Sequence, residues 1–256
     1  MKSDDAPRPV LVGTPSDQHP ATLATGHTDI STLFVSMSAR HPQGHDADYL
    51  QWHSLDHRPE QFRLSGLRAA FRLISTPACR SARAAADPRF DATDHLMTYL
   101  FRQASDLGPF NDLGAALGAA GRMPYLLPSV ERSVYHLDGK AATARIKAGA
   151  DVLPWWPFKG AYVLVEPGQH AADELLEVPG VGGAWWGRGN PLPPPLTTRS
   201  NAGLQITFLF LDDEPAATAE RLRPRLAHRW QQSGTRALLA APFHALVSYE
   251  WDRYLP

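Results

Sequence analysis

The sequence predicts an α+β protein built from two tandem repeats of the order βαββαβ. Two observations support this fold class. Strand-like and helix-like segments follow one another in the same order in both halves of the chain. Hydrophobic residues make up 43% of the 256 residues and charged residues 20%, which is typical of a globular protein with a sizeable core. The length suits one large domain or two ordinary ones, so the repetition decides the architecture.

The first repeat is predicted to begin with a strand whose side chains alternate. Leu33, Val35 and Met37 share one face, and Phe34 and Ser36 share the other. A helix follows, which Asp46 or Asp48 can cap and Pro59 limits. The remaining predicted elements are strands over 66–75 and 95–103, separated by an irregular insert, then an alanine-rich helix over 109–122 and a closing strand over 129–138.

The second repeat is predicted to have the same order of elements. Pro224 lies inside its second helix and is expected to kink or split that helix, because proline lacks the backbone N–H and clashes with the preceding turn. The predicted strands cover 160–167, 181–189, 204–213 and 242–251, and the predicted helices cover 171–180 and 215–230.

These elements divide the chain into four predicted parts. A flexible N-terminal arm covers 1–29, where no apolar period is sustained. The first repeat covers 30–139, a linker covers 140–159, and the second repeat covers 160–256. Each sheet would be covered on one face by its own helices, so its other face must be buried, and the sister repeat is the natural partner.

Charge and composition exclude several classes of partner. The net charge is −1 and no segment concentrates basic residues, so neither nucleic acid nor an anionic membrane is expected to bind. We find no signal-like segment and no run of about 18 apolar residues, which predicts a cytoplasmic protein. The single cysteine, Cys79, is interpreted as an incidental thiol. The expected partner is a small-molecule substrate, and further oligomerisation stays open.

A polar and aromatic row on the first helix is the main candidate for chemistry. Tyr49, His53 and His57 are four residues apart and share one helix face, with Trp52 and Asp56 beside them. Two imidazoles that titrate near neutrality, a carboxylate and a phenol are the parts of a general acid/base site.

The segment YLQWHSLDHRP (49–59) and the strand PFHALVSYE (242–250) resemble the dimeric α/β-barrel superfamily, and within it the EthD-like group. The resemblance implies two ferredoxin-like repeats that form an intramolecular pseudo-dimeric α/β barrel. It also implies a ligand cavity between the first sheet and its own helices. The corresponding helix of the second repeat, AADELLEVPG, has no histidine, so we expect the second repeat to be mainly structural.

Two strands of the first repeat could complete such a cavity. His95 and Tyr99 share one strand face and could add an acid and a hydrogen-bond donor, while Arg68 or Arg72 could hold a carboxylate or enolate oxygen. The catalytic candidates are His53, His57, Tyr49, Tyr99 and His95, and the substrate-binding candidates are Trp52, Asp56, Arg68, Arg72, Phe101 and His136.

The leading functional hypothesis is a cofactor-independent lyase, decarboxylase or cyclase that acts on a hydrophobic, aromatic or polyketide-like acid. One alternative is a haem- or metal-dependent monooxygenase, with His136 or His95 as the axial haem ligand, or with the two helix histidines joined by His45, Asp56 or Glu60 around a divalent metal. The other alternative is a non-enzymatic small-ligand-binding or stress-associated barrel. No metal ligands are assigned under the leading hypothesis.

Overall fold

The computed structural model describes residues 10–254, so the first nine residues of the predicted arm and the last two of the second repeat lie outside it. A short helix, α1 (Pro20–Leu23), precedes the first unit. The elements of that unit are β1 (Thr32–Ser38), α2 (Asp46–Trp52), a π-helical turn (His53–His57), α3 (Arg58–Gln61), β2 (Leu67–Ile74), α4 (Pro77–Ser81), β3 (Ala85–Ala86), β4 (His95–Phe101), α5 (Leu107–Ala119) and β5 (Ser129–Ala142).

The second unit repeats the order of the main elements. A 3-10 helix (Ala150–Trp155) lies in the segment that joins the two units. The elements that follow are β6 (Gly160–Pro167), α6 (Asp173–Leu176), β7 (Val181–Gly189), β8 (Leu204–Leu211), α7 (Pro215–Ser233) and β9 (Leu239–Ala245).

Eight of the strands form one closed antiparallel barrel. Their order is β2-β4-β1-β5-β7-β8-β6-β9, and β9 pairs back onto β2 through Leu73 with Ala245 and Ile74 with His244. Within each unit the neighbours follow the order second, third, first, fourth strand, which is the ferredoxin-like arrangement. The predicted fold class is therefore confirmed: two ferredoxin-like units close one barrel within a single chain.

The barrel interior is an apolar core to which both units contribute. Leu33, Val35 and Met37 of β1 point into it, as their alternation predicts. Phe71 of the first unit packs edge-to-face on Phe208 of the second, with ring centroids 5.6 Å apart. The outer face of each half-barrel is left for helices and, in the first unit, for a cavity.

Several element boundaries differ from the sequence prediction. β5 continues to Ala142, because its last residues pair with β7, and β9 begins and ends earlier than predicted. The expected split at Pro224 is wrong, because α7 is one continuous helix from Pro215 to Ser233. Pro224 is exposed on that helix, so the carbonyl that it leaves unpaired can bond to water.

The described part of the predicted arm contacts the joining segment. The backbone N–H of Ser16 donates to the carbonyl of Lys147 at 3.0 Å, and the carboxylate of Asp17 accepts from the N–H of Ala150. His27 lies 3.1 Å from the carboxylate of Asp151. The flexibility of the arm stays a prediction.

Within residues 10–254, no helix combines the length and apolar character required to cross a bilayer.

Candidate active site

A cavity of about 500 Å³ lies between the outer face of the first half-barrel and the helices that cover it. This volume falls in the range of small-molecule sites. The cavity is lined by Phe34, Ser36, Ser38, Tyr49, Trp52, His53, His57, Gln61, Arg72, Met97, Tyr99, Phe110, Asn111, Gly114, Ala115, Met123, Leu126, Leu127, Ser129, Arg132 and Pro195.

The strands supply the floor of the cavity through their alternation. Phe34 and Ser36 of β1 point outward because Leu33 and Val35 point into the barrel. By the same rule β4 contributes Met97 and Tyr99, and β2 contributes Arg72. The cavity thus lies where the resemblance implies, between the first sheet and its own helices.

The predicted histidine row lies in a distorted helix. After Trp52 the helix widens into the π-helical turn His53–His57, and α3 follows with Pro59 in its first turn. Pro59 has no backbone N–H to donate to the carbonyl of Leu55, four residues earlier, so the regular α-helical hydrogen bond is missing there. The π-helical turn ends two residues before this proline. His53 is 4% exposed and His57 is 8% exposed, so both imidazoles are held in the cavity wall.

His53 and Tyr99 form the central hydrogen bond of the site, with 3.1 Å between Nε2 and the phenol oxygen. Burial lowers the pKa of His53 well below its ordinary value, and the positive charge of Arg72 lowers it further. Burial also raises the pKa of Tyr99. The phenol is therefore protonated and donates to an unprotonated imidazole.

His57 is a second neutral imidazole. Its pKa is lowered mainly by burial, although Asp56 opposes the shift. The amide Nε2 of Gln61 lies 2.9 Å from its Nε2 and donates to it. Within residues 10–254 we find no hydrogen-bond partner for the Nδ1 of His57. Sequence reasoning did not include Gln61, although its spacing of four residues from His57 continues the same row.

Arg72 is a buried cation in the cavity wall, with 4% of its surface exposed. One terminal nitrogen donates to the hydroxyl of Tyr49 at 2.9 Å, and the guanidinium carbon lies 5.0 Å from the centre of the Tyr49 ring. Its Nε has no hydrogen-bond partner in the described part of the chain. Arg72 therefore keeps a donor available for a ligand oxygen.

Four other candidates do not line the cavity. His95 is fully buried, and its Nε2–H donates to Asp46 at 2.7 Å. Phe101 packs edge-to-face on Phe110, with ring centroids 5.3 Å apart. Arg68 pairs with the carboxylate of Asp29. His136, on β5, lies opposite Thr32 of β1. A direct substrate contact for these four is not supported by their positions.

Trp52 lines the cavity, whereas its predicted neighbour Asp56 does not. The indole N–H of Trp52 donates to the carboxylate of Asp56 at 3.2 Å, and Asp56 also pairs with Arg122. Asp56 thereby fixes the orientation of the Trp52 ring, which lies 5.1 Å from the ring of His57. Its role is to position an aromatic wall.

The residues considered for a metal or a haem are not brought together. Among residues 10–254, no group of three or more His, Cys, Asp or Glu side chains could hold a metal ion. His45 bonds to Asp48 at 2.9 Å, and both are exposed. Neither His95 nor His136 lines the cavity, so neither is placed to ligate a haem there.

The matching face of the second unit carries an ion pair and an apolar cluster. Arg229 of α7 pairs with Glu166 of β6 at 3.2 Å, and both side chains are buried. The indole N–H of Trp230 donates to the same carboxylate at 2.9 Å. An apolar cluster that includes Leu209 and Leu222 occupies the rest of this face. A groove of about 490 Å³ beside this face is lined by residues that include His170, Glu174 and Arg229, and none of the predicted catalytic residues lines it.

No family model matches the chain, and no curated protein sequence does. Among solved structures, an anthrone oxidase-like protein superposes with a TM-score of 0.48 at 11% identity, over 86% of this chain and 92% of that one. A candidate chlorite dismutase gives 0.47 at 11% identity, over 89% and 99%. A candidate monooxygenase from Fusobacterium nucleatum gives 0.48 at 10% identity, over 85% and 93%.

These identities are too low to carry an activity over to this chain. The strand order, the closure of β9 on β2 and the cavity outside the first half-barrel are properties of the chain itself. They give it the architecture of the dimeric α/β barrels, formed here by one polypeptide.

Proposed function

We propose that this chain is an enzyme that moves protons on a hydrophobic, aromatic or polyketide-like acid, as a lyase, decarboxylase or cyclase without a cofactor. One observation carries the proposal: His53 is a buried, neutral imidazole in the cavity wall, hydrogen-bonded to Tyr99 and close to the partly unpaired cation of Arg72. A neutral base, a protonated donor and a cation for developing negative charge together favour acid/base catalysis.

His53 acts as the base in this proposal. Its Nε2 takes a proton from a C–H or O–H group of the substrate, and the electron pair left behind moves onto a conjugated oxygen. The free Nε of Arg72 donates to that oxygen as the negative charge develops. Because the group is buried, this charge-assisted hydrogen bond is stronger than it would be in water.

Tyr99 and Tyr49 complete the mechanism. The Tyr99 hydroxyl, which burial keeps protonated, gives its proton to carbon or oxygen of the substrate, and the proton that His53 has taken then passes to the Tyr99 oxygen along their hydrogen bond, which restores both groups. Tyr49 holds the guanidinium of Arg72 through its hydroxyl and its ring. His57 offers a second neutral imidazole, whose orientation Gln61 fixes.

We also propose that the chain belongs to the EthD-like group and arose by fusion of two repeats. The segment YLQWHSLDHRP, which places Tyr49, Trp52, His53 and His57 in the cavity wall, supports this membership.

The test uses 2,4-dihydroxy-6-methylbenzoate as a model aromatic acid in heavy water. Nuclear magnetic resonance follows both deuterium entry at ring carbons and loss of carbon dioxide. Wild-type protein is expected to accelerate at least one of these reactions, and His53→Gln is expected to lower that rate by about 100-fold or more. His228→Gln, an exposed histidine of α7, serves as the control and keeps the wild-type rate.

Unchanged rates in both His53→Gln and His57→Gln would remove the proposed base. If the protein is a non-enzymatic ligand-binding barrel, it would bind the acid without accelerating either reaction. A strong visible absorption band from bound haem in the purified protein would favour the monooxygenase alternative.

A further inference from the structure

Two arginines lie in one row across the floor of the cavity. Arg72 of β2 is opposite Met97 of β4, Met97 is opposite Ser36 of β1, and Ser36 is opposite Arg132 of β5. Neighbouring strands are about 4.8 Å apart, so three spacings separate the two arginine Cα atoms by roughly 14 Å. Both side chains line the cavity, so the floor has a cation at each end.

Neither arginine has a carboxylate partner among residues 10–254. The side chain of Arg72 donates a hydrogen bond to the Tyr49 hydroxyl, and the guanidinium of Arg132 lies 5.2 Å from the centre of the Phe34 ring. Arg132 is half-buried, and this burial lowers its pKa. By contrast, the buried Arg229 of the second unit has Glu166 and Glu174 as counter-ions.

Met97 and Ser36 lie between the two cations on the floor, and aromatic rings lie beside them. The rings of Phe34, Tyr99 and Phe110 form a contiguous cluster. A buried and a half-buried cation that lack anionic partners in the described part of the chain are stabilised when a ligand supplies the anions. A flat hydrophobic molecule with an acidic oxygen group at each end fits this arrangement.

We propose that the substrate is an aromatic molecule with two separate acidic groups, and that Arg132 binds the group that does not react. Arg132 is then a specificity-determining residue, which selects diacids over monoacids, while Arg72 holds the reacting oxygen. The role of Arg72 rests on the proposed function, whereas the binding of a second anion at Arg132 does not.

Calorimetric titration with three probes tests the proposal: 2,6-naphthalenedicarboxylate, 2-naphthoate and neutral 2-naphthylmethanol. Wild-type protein is expected to bind the diacid about tenfold or more tightly than the monoacid, since each desolvated charged hydrogen bond contributes on this scale. Arg132→Gln is expected to bring the two affinities together. Arg132→Lys keeps the positive charge but loses the two parallel N–H donors of the guanidinium, so its preference for the diacid is expected to lie between those of wild type and Arg132→Gln. Arg223→Gln, an exposed arginine of α7, keeps the wild-type preference.

Equal binding of diacid and monoacid by wild-type protein would overturn the proposal without any variant. A preference for the diacid that survives in folded Arg132→Gln would also overturn it, as would failure of both acids to bind. If the preference depends on Arg132 but His53→Gln leaves turnover unchanged, the second anion subsite stands and the proposed function fails.

Discussion

At the scale of single residues, the site combines an unprotonated imidazole with a protonated phenol. His53 is kept neutral by burial and by the nearby cation of Arg72, while Tyr99 is kept protonated by the same burial. This matches a base that is free of protons at neutral pH and an acid that still carries one.

The first prediction concerns the pH dependence of catalysis. Because the Arg72 cation lowers the pKa of His53, Arg72→Gln is expected to raise that pKa towards its ordinary value near 6.5. The rate falls when the base becomes protonated, so the acidic limb of kcat/KM is expected to move to higher pH in this variant. A pH–rate profile measures the shift, and Arg223→Gln is the control. An unmoved acidic limb in Arg72→Gln would show that His53 is not the titrating base.

Some site residues follow from helical spacing alone, whereas others depend on how the strands pair. Tyr49, His53 and His57 could be found because helical spacing alone places them on one face. Arg132 is in regular register with Ser36 of β1, so alternation along β5 places it on the same face as Val134, but the sequence does not say that this face meets the cavity. Ser129 could not be found from alternation, because the register of β5 against β1 shifts between Met37 and Ser38. That irregularity brings Ser129 to the same side as Arg132 although they are three residues apart.

At the scale of elements, two prolines in helices have different outcomes. Pro59 follows a π-helical turn that directs both histidines into the cavity, whereas Pro224 lies on the exposed side of an uninterrupted α7. The sequence predicts an irregularity at both prolines, because each leaves the carbonyl four residues before it without a helical hydrogen bond. Whether that carbonyl is exposed to water depends on how the whole helix packs. The element order was therefore predictable, while the local response to each proline was not.

The second prediction concerns β9, where His244 contacts Glu214 at the start of α7 and Cys79 of α4. Burial lowers the pKa of His244, but hydrogen bonds with Cys79 and Glu214 outweigh it and raise the pKa to about 9. The folded state therefore binds the proton more tightly than the unfolded chain. The stabilisation is complete below the unfolded pKa near 6.5 and is lost as the pH rises through about 9.

Urea unfolding of wild-type protein and His244→Gln at several pH values measures this effect. The stability difference between them is expected to be largest near pH 6 and to shrink by about pH 10. A difference that stays constant over this range would contradict a raised pKa of His244.

At the scale of the whole molecule, the two units have the same topology but different contents on their outer faces. The first has a cavity with two arginines that lack a carboxylate partner among the described residues, whereas the second places the paired side chains of Arg229 and Glu166 and an apolar cluster on the matching face. The repeated element order predicts the symmetry of the barrel. The asymmetry was suggested by a single observation, the absence of histidine from the sequence of the second repeat's first helix.

The third prediction follows from this asymmetry. Arg229→Met leaves Glu166 buried without its cation, so the free energy of unfolding is expected to fall by about 3–5 kcal/mol. Arg225→Met on the same helix removes an exposed pair with Glu177 and is expected to cost less than about 1 kcal/mol. Urea unfolding measures both losses. Binding of 2-naphthoate to folded Arg229→Met is expected to match wild type, and a weakened affinity would contradict the division between the units.

The central claim, a neutral imidazole base in the cavity of the first unit, can be measured without any substrate. Nuclear magnetic resonance of the histidine ring nitrogens, assigned by comparison with His53→Gln, follows protonation of His53 as the pH is lowered. The expected result is that His53 remains neutral well below the ordinary histidine pKa of about 6.5 and becomes protonated only at lower pH. Protonation of His53 at or above that ordinary value would contradict the account.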